Sequence, residues 1–378
     1  MRESRGTRQK TRGALLSYKL CMTSRNRLVL LICVSAVLSG LVVFWQVRIY
    51  RTPPKVSINT SIISASDILS AGPAKDGIPA INDPDFETVP VADQYLKDDG
   101  LGIDLATTNG RRFYPFQILT WHFVVNDTVD GKPITVVYCP LCQDGAVYSS
   151  QLDGQTLQFG TSGQVWNSIS LLYDQGTGSL WTASGGLAIS GPLVGKQLAE
   201  IPSHIVPWGD WKINYPDGQV LSRNTGADRD YTFDPYGAYQ LGPDMWFPII
   251  RPDARLPIKT LVIGLQAGGK SKAYQVSDLA SLQTLDDTIG QTPVTVWSDP
   301  NTGEVSAFER SVKGQVLTFF RSQTGQVLDR ETGSSWDTDG QAISGTYAGT
   351  QLTELTVERT FWFCWAALHP STDVYTLP

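Results

Sequence analysis

The sequence predicts a mainly β protein of the α+β class: two tandem copies of a hairpin-rich β unit with short helices, preceded by one transmembrane helix. Three observations predict it: a long uncharged apolar run near the N-terminus, an internal repeat, and alternating β-branched and aromatic segments that flank turns. The chain has 378 residues, of which 41% are hydrophobic and 17% charged. This composition supplies a sizeable core and excludes a disordered protein.

The N-terminus predicts a membrane anchor. Residues 1–27 carry eight Lys or Arg side chains and one acid, and residues 28–47 carry no charge. Twenty apolar residues at about 1.5 Å each span the roughly 30 Å hydrocarbon core of a bilayer. The basic flank holds the N-terminus in the cytoplasm. We therefore expect a single-pass protein of the cell membrane with a cytoplasmic N-terminus and an extracytoplasmic C-terminal domain; a buried core helix is the alternative for 28–47.

The charge distribution bears on partners. The net charge is −6 and residues 1–51 carry +9, which leaves −15 on the remainder. An acidic domain of this kind argues against a nucleic-acid partner. Residues 48–93 are rich in Pro, Ser, Gly and Asp and predict an irregular linker.

An internal repeat organises the remaining chain. The segment FVVNDTVDGKPITVVYCP (123–140) aligns with QTLDDTIGQTPVTVWSDP (283–300), and AISGPLVGKQL (188–198) aligns with AISGTYAGTQL (342–352). The matched segments keep their order, which indicates a duplication. We predict repeat unit one at 94–217, a connector at 218–260 and a degenerate unit two at 261–378, with short helices at 277–282 and 360–368.

The repeat separates structural from functional candidates. Trp181 and Trp336 fall at equivalent positions and are predicted to be core anchors. Chemistry present in one copy alone marks the functional candidates. Those in unit one are His122, Asn126, Cys139, Cys142 and His204, together with the segment 160–168.

The YCPLC segment, with Cys139 and Cys142, allows three interpretations. The aligned copy indicates a hairpin loop, which disfavours a thioredoxin site because that site needs a helix after its first Cys. The loop instead fits a metal knuckle for Zn, Cu or Fe, with His122 and His204 as further ligands. It equally fits thiol–disulfide chemistry, or a structural disulfide. A lone His beside Trp, as at His122, is more often a packing residue than a ligand.

Two other patterns favour structural readings. GLQAGGKS (264–271) matches the phosphate-binding loop pattern, but its aligned partner places it in a β-hairpin turn, whereas such a loop must open a helix. We therefore expect no nucleotide there. The connector segment ADRDYTFDPYGAY (227–239) has alternate acids without the spacing of a calcium loop, and we read it as an aromatic packing loop.

Several long motifs together resemble one family. FYPFQILTWHFVVNDTVDGKPITVVYCPLC (113–142), FGTSGQVWNSISLLYDQGTGSLW (159–181), AISGPLVGKQL and DRDYTFDPYGAY are similar to the domain-of-unknown-function 3179 family over about residues 95–378. Family members typically show a W-H-E-I-V-N-D-like run, and this chain has Phe123 where an acid is common. The resemblance implies the architecture and highlights the same Cys and His residues, but it implies no reaction.

Two hypotheses for function follow. The first is a metal-binding or thiol-redox protein of the cell envelope, with Cys139 and Cys142 as the reactive pair, His122 as auxiliary ligand or base, and Asn126 orienting His122. It implies a redox or metal-delivery partner in the envelope. The alternative is a non-catalytic envelope binding module, in which segment 160–168 and the connector recognise a glycan or a protein.

Overall fold

A computed structural model describes residues 61–377 of the chain. The basic segment 1–27, the predicted membrane helix 28–47 and the first part of the predicted linker lie outside the described residues. Nowhere in residues 61–377 does a helix reach the length and apolar character needed to cross a bilayer.

Strands dominate the described chain. Those of residues 61–221 are β1 (Ile68–Ser70), β2 (Ile81–Asn82), β3 (Phe86–Thr88), β4 (Leu101–Thr107), β5 (Gly110–Pro115), β6 (Val124–Val129), β7 (Lys132–Cys139), β8 (Asp144–Ser149), β9 (Gln151–Leu152), β10 (Gln155–Thr156), β11 (Phe159–Trp166), β12 (Ile169–Asp174), β13 (Leu180–Thr182), β14 (Ala188–Ser190), β15 (Glu200–Ile201), β16 (His204–Pro207) and β17 (Gln219–Leu221). Those of residues 261–374 are β18 (Leu261–Ala267), β19 (Lys270–Gln275), β20 (Thr284–Ile289), β21 (Thr292–Ser298), β22 (Val305–Glu309), β23 (Ser311–Val312), β24 (Gln315–Val316), β25 (Phe319–Arg321), β26 (Val327–Asp329), β27 (Ser335–Trp336), β28 (Ala342–Ser344), β29 (Thr353–Leu355), β30 (Glu358–Phe361) and β31 (Asp373–Val374).

The helices are short. They are α1 (Val89–Ala92), α2 (Phe116–Leu119), α3 (Trp208–Asn214), α4 (Gly237–Leu241), α5 (Val276–Leu282) and α6 (Trp362–Leu368). The two helices predicted from the sequence, at 277–282 and 360–368, coincide with α5 and α6. The mainly β class with short helices is thus confirmed.

Residues 61–221 form the N-terminal half and residues 261–374 the C-terminal half. Apart from β1, β2 and β3, the sheets of the two halves have the same strand order. In the N-terminal half the sheets run β1-β11-β12-β13-β14, β15-β8-β7-β6-β2 and β16-β4-β5-β17-β3, with the hairpin β9–β10. In the C-terminal half, read in the same direction, they run β25-β26-β27-β28, β29-β22-β21-β20 and β30-β18-β19-β31, with the hairpin β23–β24. The connector strand β17 pairs in parallel with β5 as β31 does with β19.

The described part of the predicted linker, residues 61–93, contains three short strands. Strands β1, β2 and β3 of residues 61–93 each add one strand to a different sheet of the N-terminal half. Ile81 is buried where β2 runs parallel to β6. The Pro, Gly and Asp residues that suggested a spacer are the turns between these short edge strands.

Segment 160–168, a functional candidate in the sequence, is mostly strand β11. It pairs with β1 on one side and with β12 on the other, with a register shift between Thr161 and Gln164. The motif 264–271 spans the hairpin of β18 and β19, with Gly268 and Gly269 at positive φ in the turn. It opens no helix, as the alignment predicted.

Separate apolar cores lie in the two halves. Ile103, Tyr114 and Val136 belong to the first core, and the aligned Ile263, Tyr274 and Val296 belong to the second. A further cluster joins the halves, because Phe361, Phe363 and Cys364 pack with Cys139, Cys142 and Trp181.

The two predicted core anchors are confirmed, since Trp181 is 0% and Trp336 3% exposed. Each indole N–H donates a 3.0 Å hydrogen bond to a fully buried carboxylate, Asp174 for Trp181 and Asp329 for Trp336. A buried indole therefore keeps its polar atom satisfied in both halves.

Candidate functional site

The C-P-L-C segment forms the loop between β7 and β8, where Cys139 lies opposite Asp144 in the hairpin register. Cys142 is disulfide-bonded to Cys364 of α6, with a Cα–Cα distance of 5.9 Å. The backbone also closes this junction, because Phe361 N donates to Cys142 O at 2.9 Å. Of the three interpretations of this segment, the structure contains a disulfide, but one that joins Cys142 to the C-terminal half and not to Cys139.

Cys139 is a free cysteine with 1% of its surface exposed. Burial raises the pKa of its thiol, and hydrogen bonds with Ser170 only partly oppose that effect. A buried thiol with a raised pKa carries little thiolate at neutral pH and reacts slowly. Cys139 and Cys142 therefore differ in state: Cys142 is in a disulfide with Cys364, and Cys139 is a buried thiol.

His122 and Asn126 serve local structure. The ring nitrogens of His122 lie 2.7 Å from Pro79 O and 2.6 Å from Tyr231 Oη, and burial lowers its pKa. Asn126 accepts from Phe159 N at 3.0 Å and donates to Phe159 O at 2.8 Å. Asn126 therefore holds β11 against β6 and does not orient His122, because its polar atoms are engaged elsewhere.

His204 reaches across to the C-terminal half. Its Nε2 lies 3.2 Å from Glu354 Oε1 and its Nδ1 lies 3.6 Å from Glu304 Oε1. Burial disfavours the charged ring, but the hydrogen bond to Glu354 and the charges of both glutamates outweigh it, so the pKa of His204 is raised. The structure thus separates His204 from the cysteines and from His122.

The described residues contain no cluster of ligands for the expected metal site. Within residues 61–377 no group of three or more His, Cys, Asp or Glu side chains is arranged to hold a metal ion. The four predicted ligands instead occupy three separate environments: the disulfide junction, the His122 packing site and the His204 ion pairs.

An acidic cavity lies at the start of β30. Its volume is about 470 Å³, and its lining includes Glu200, Gln266, Glu354, Glu358 and His369. Glu358 is 7% exposed, and its Oε2 atom has no hydrogen-bond partner.

Asp144 lies beside this cavity. It accepts a hydrogen bond from Ser184, whose Oγ is 3.6 Å from Cys364 Sγ. Its other oxygen, Oδ1, is buried without a partner. The acidic group therefore adjoins the disulfide that joins the halves.

Burial and like charge set the protonation of this group. Burial raises the pKa of Asp144 to about 6. Burial, followed by repulsion among Asp144, Glu200 and Glu358, raises the pKa of both glutamates. His369 supplies no compensating charge at neutral pH, because burial lowers its pKa to about 4, although its Nε2 is 4.0 Å from Glu358 Oε1.

These acids belong to no recognisable sequence motif. The alignment sets His204 against Glu358, and this exchange of a base for an acid is the one signal in the sequence. Glu200 and Asp144 lie near Glu358 because of the way their strands pair, and the alignment does not predict this pairing.

A second cavity, of about 620 Å³, lies where the connector meets the N-terminal half. We call it the connector pocket, and its lining includes Phe116, Tyr138, Gln143, Phe233, Gln240 and Arg359. Phe116 and Tyr138 stack at 4.0 Å between ring centroids, and Gln240 Nε2 donates to Tyr138 Oη at 3.1 Å. Phe233 remains 60% exposed.

Arg359 places a positive charge in the connector pocket. Its Nη1 atom is buried without a hydrogen-bond partner, and burial lowers its pKa. Arg359 follows Glu358 on β30, and successive strand side chains point to opposite faces. Strand β30 therefore places the guanidinium group of Arg359 in the connector pocket and the carboxyl group of Glu358 in the acidic cavity.

The fold and these cavities define a mainly β protein with two recessed polar surfaces. The chain belongs to the DUF3179 family of proteins of unknown function, whose family description matches residues 75–372. The match begins within residues 61–93 and spans both halves. No curated protein and no solved structure matches the chain.

Proposed function

We propose that this protein is an extracytoplasmic binding module, anchored in the membrane by residues 28–47, that recognises a carboxylate-bearing glycan in the connector pocket. Arg359 is the observation that carries this proposal. A buried guanidinium group with an unpartnered N–H is costly unless a ligand supplies the acceptor. A carboxylate matches its planar donor geometry.

The rest of the connector pocket suits a sugar. Ligand sites combine apolar and aromatic walls with a few convergent polar groups. The exposed ring of Phe233 offers a face for stacking. Gln143 Nε2 donates to Gln240 Oε1 at 3.2 Å, and Gln143 Oε1 can accept a hydrogen bond from a sugar hydroxyl. A volume of about 620 Å³ is within the range of small-molecule sites.

The extracytoplasmic location has two supports. The uncharged segment 28–47 and its basic flank favour a membrane anchor with the N-terminus inside. The disulfide between Cys142 and Cys364 is typical of proteins in oxidising compartments.

We propose as well that the two halves are tandem copies. Their strand order supports this, and so does the register: His204 lies opposite Asp104 in one half, and Glu358 lies opposite Gly264 in the other. The aligned Trp181–Asp174 and Trp336–Asp329 hydrogen bonds add a third correspondence.

Thiol or metal chemistry receives less support than ligand binding. Cys142 is engaged with Cys364, and Cys139 is buried. The connector pocket, in contrast, offers an unpartnered charged group and an exposed aromatic ring. Ligand binding therefore replaces the metal or redox hypothesis as the proposal.

Calorimetric titration of the full-length protein with trigalacturonate tests the proposal. We expect saturable binding that Arg359→Gln and Phe233→Ala each weaken at least tenfold. Arg330→Gln, an exposed arginine of the C-terminal half, is the matched control and should bind as the wild type does. No binding, or equal loss in the control, would contradict the proposal.

Reporter fusions test the location. A C-terminal fusion should be active with an exported reporter and inactive with a reporter that works only in the cytoplasm. The reverse pattern would overturn the proposed topology.

A further inference from the structure

The acidic cavity adjoins a counterpart site, and Glu354 belongs to the counterpart while also lining the cavity. In the C-terminal half, Glu304 at the hairpin of β21 and β22 and Glu354 of β29 flank the imidazole of His204. Glu354 pairs with Phe308 of β22 in that half, and Glu200 pairs with Tyr148 of β8 in the N-terminal half. The carboxylates of Asp144 and Glu200 thus occupy the strand positions that Glu304 and Glu354 occupy.

One pair of acids faces a nitrogen base, and the other pair faces a third carboxyl group. Glu304 and Glu354 receive a nitrogen base, His204, at the first position of β16. Asp144 and Glu200 face Glu358, at the first position of β30, which is a third carboxyl group. Among the described residues, His204 supplies a cation to the first site, whereas the base beside the second is His369, whose pKa burial lowers to about 4.

The unpartnered atoms point to a missing ligand. Glu358 Oε2 and Asp144 Oδ1 are both buried without hydrogen bonds, and Glu358 lines the cavity of about 470 Å³. Buried carboxyl oxygens are normally satisfied, so each of these atoms has an acceptor to offer. An imidazole nitrogen fills the equivalent place beside Glu304 and Glu354.

We propose that the acidic cavity binds an organic cation with a primary ammonium group, held between Glu358 and Glu200 with Asp144 behind them. An ammonium group has three donors and satisfies several carboxylates at hydrogen-bond distance. A metal ion would need its oxygen ligands to converge within about 2.6 Å of one point. The described residues present no such convergence.

Binding is coupled to proton release. The titratable groups that face Glu358 are Asp144 and Tyr148 of β8, Glu200 of β15, Glu354 of β29 and His369 after α6. The raised pKa values of Glu200 and Glu358 leave the pair partly protonated at neutral pH. A bound ammonium lowers both pKa values, so protons leave and affinity rises as the pH increases through them.

Calorimetric titration of the full-length protein with putrescine, in two buffers of different ionisation enthalpy, tests this proposal. We expect one saturable site at pH 8, an observed enthalpy that depends on the buffer, and weaker binding at pH 6. Putrescine should also raise the melting temperature of the wild type.

Glu358→Gln and Glu200→Gln keep the side-chain shape and should each weaken putrescine binding more than tenfold. Glu304→Gln, at the equivalent position beside His204, should change the affinity less than twofold. The melting temperature of each variant without ligand separates lost binding from lost folding.

Three results would overturn the proposal: no putrescine binding, unchanged binding by Glu358→Gln, or displacement of putrescine by one equivalent of Ca²⁺. Because the connector pocket is not involved, loss of trigalacturonate binding leaves this test unaffected.

Discussion

Cys142 and Cys364 are joined across 222 positions of the chain, which fastens a hairpin loop of the N-terminal half to α6 of the C-terminal half. A cross-link over so long a loop removes much conformational freedom from the unfolded chain. The two halves are therefore expected to unfold together while the bond is intact.

Removal of this bond should cost stability. For the double variant Cys142→Ala with Cys364→Ala, we expect the free energy of unfolding to fall by about 2–5 kcal/mol. Urea denaturation under non-reducing conditions measures the change. Cys139→Ala is the matched control and should cost about 1 kcal/mol, because it removes one buried sulfur and no cross-link. Equal losses in the two variants would contradict the assigned bond.

The buried carboxylates that anchor the tryptophans are a second target. Asp329 accepts hydrogen bonds from Trp336 Nε1 at 3.0 Å and from Thr332 N at 2.6 Å. Asp329→Ala leaves the buried indole N–H of Trp336 and the half-buried N–H of Thr332 without their acceptor, so we expect a loss of about 2–4 kcal/mol. Asp174→Ala should behave alike, and the exposed Asp339→Ala should cost little. Denaturation followed by tryptophan fluorescence distinguishes these outcomes.

Gly264 lies directly beneath an indole ring. A Cβ atom built on Gly264 would come within 2.2 Å of the Trp365 ring. We expect Gly264→Ala to destabilise the protein by about 1–3 kcal/mol through overpacking. Gly176→Ala is the control, because its new methyl group would meet its nearest neighbour at 3.7 Å. A neutral Gly264→Ala in thermal melts would show that α6 packs elsewhere.

The His204 ion pairs predict a pH dependence. The pKa of His204 is raised in the folded protein above its ordinary value. Its contribution is therefore fully present below about pH 6.5 and is lost as the pH rises through the raised value. Urea denaturation of the wild type and His204→Gln between pH 5.5 and 9 should show a stability difference that shrinks with rising pH. A difference that grows would refute the assignment.

His122→Gln provides the contrast, because burial lowers the pKa of His122. A base with a depressed pKa destabilises the folded state in acid, so this variant should gain stability relative to the wild type as the pH falls below about 6.5.

The fold class could be predicted from local patterns in the sequence. Alternating apolar residues and turn residues predicted the hairpins, including the loop between Cys139 and Cys142, and the repeat identified Trp181 and Trp336 as anchors. These features depend on neighbouring residues, which a sequence displays directly.

Long-range contacts decided the rest. Whether Cys142 pairs with Cys139 or with Cys364 depends on how α6 approaches the N-terminal half. The spacing of the cysteines along the chain does not indicate that approach. Edge strands as short as β2 contain too few residues to show a period. Asp144, Glu200 and Glu358 come together only when strands β8, β15 and β30 are all paired correctly. The alignment of the two segments of the chain indicates only Glu358.

The burial of Cys139 has a consequence for the order of events during synthesis. Cys142 leaves the ribosome three residues after Cys139 and 222 residues before Cys364. Throughout that interval its nearest thiol in the sequence is the incorrect partner. Packing of the N-terminal half around Cys139 buries that thiol and so removes it from competition for Cys142. A chain whose N-terminal half packs slowly is therefore the one at risk of the short, non-native bridge.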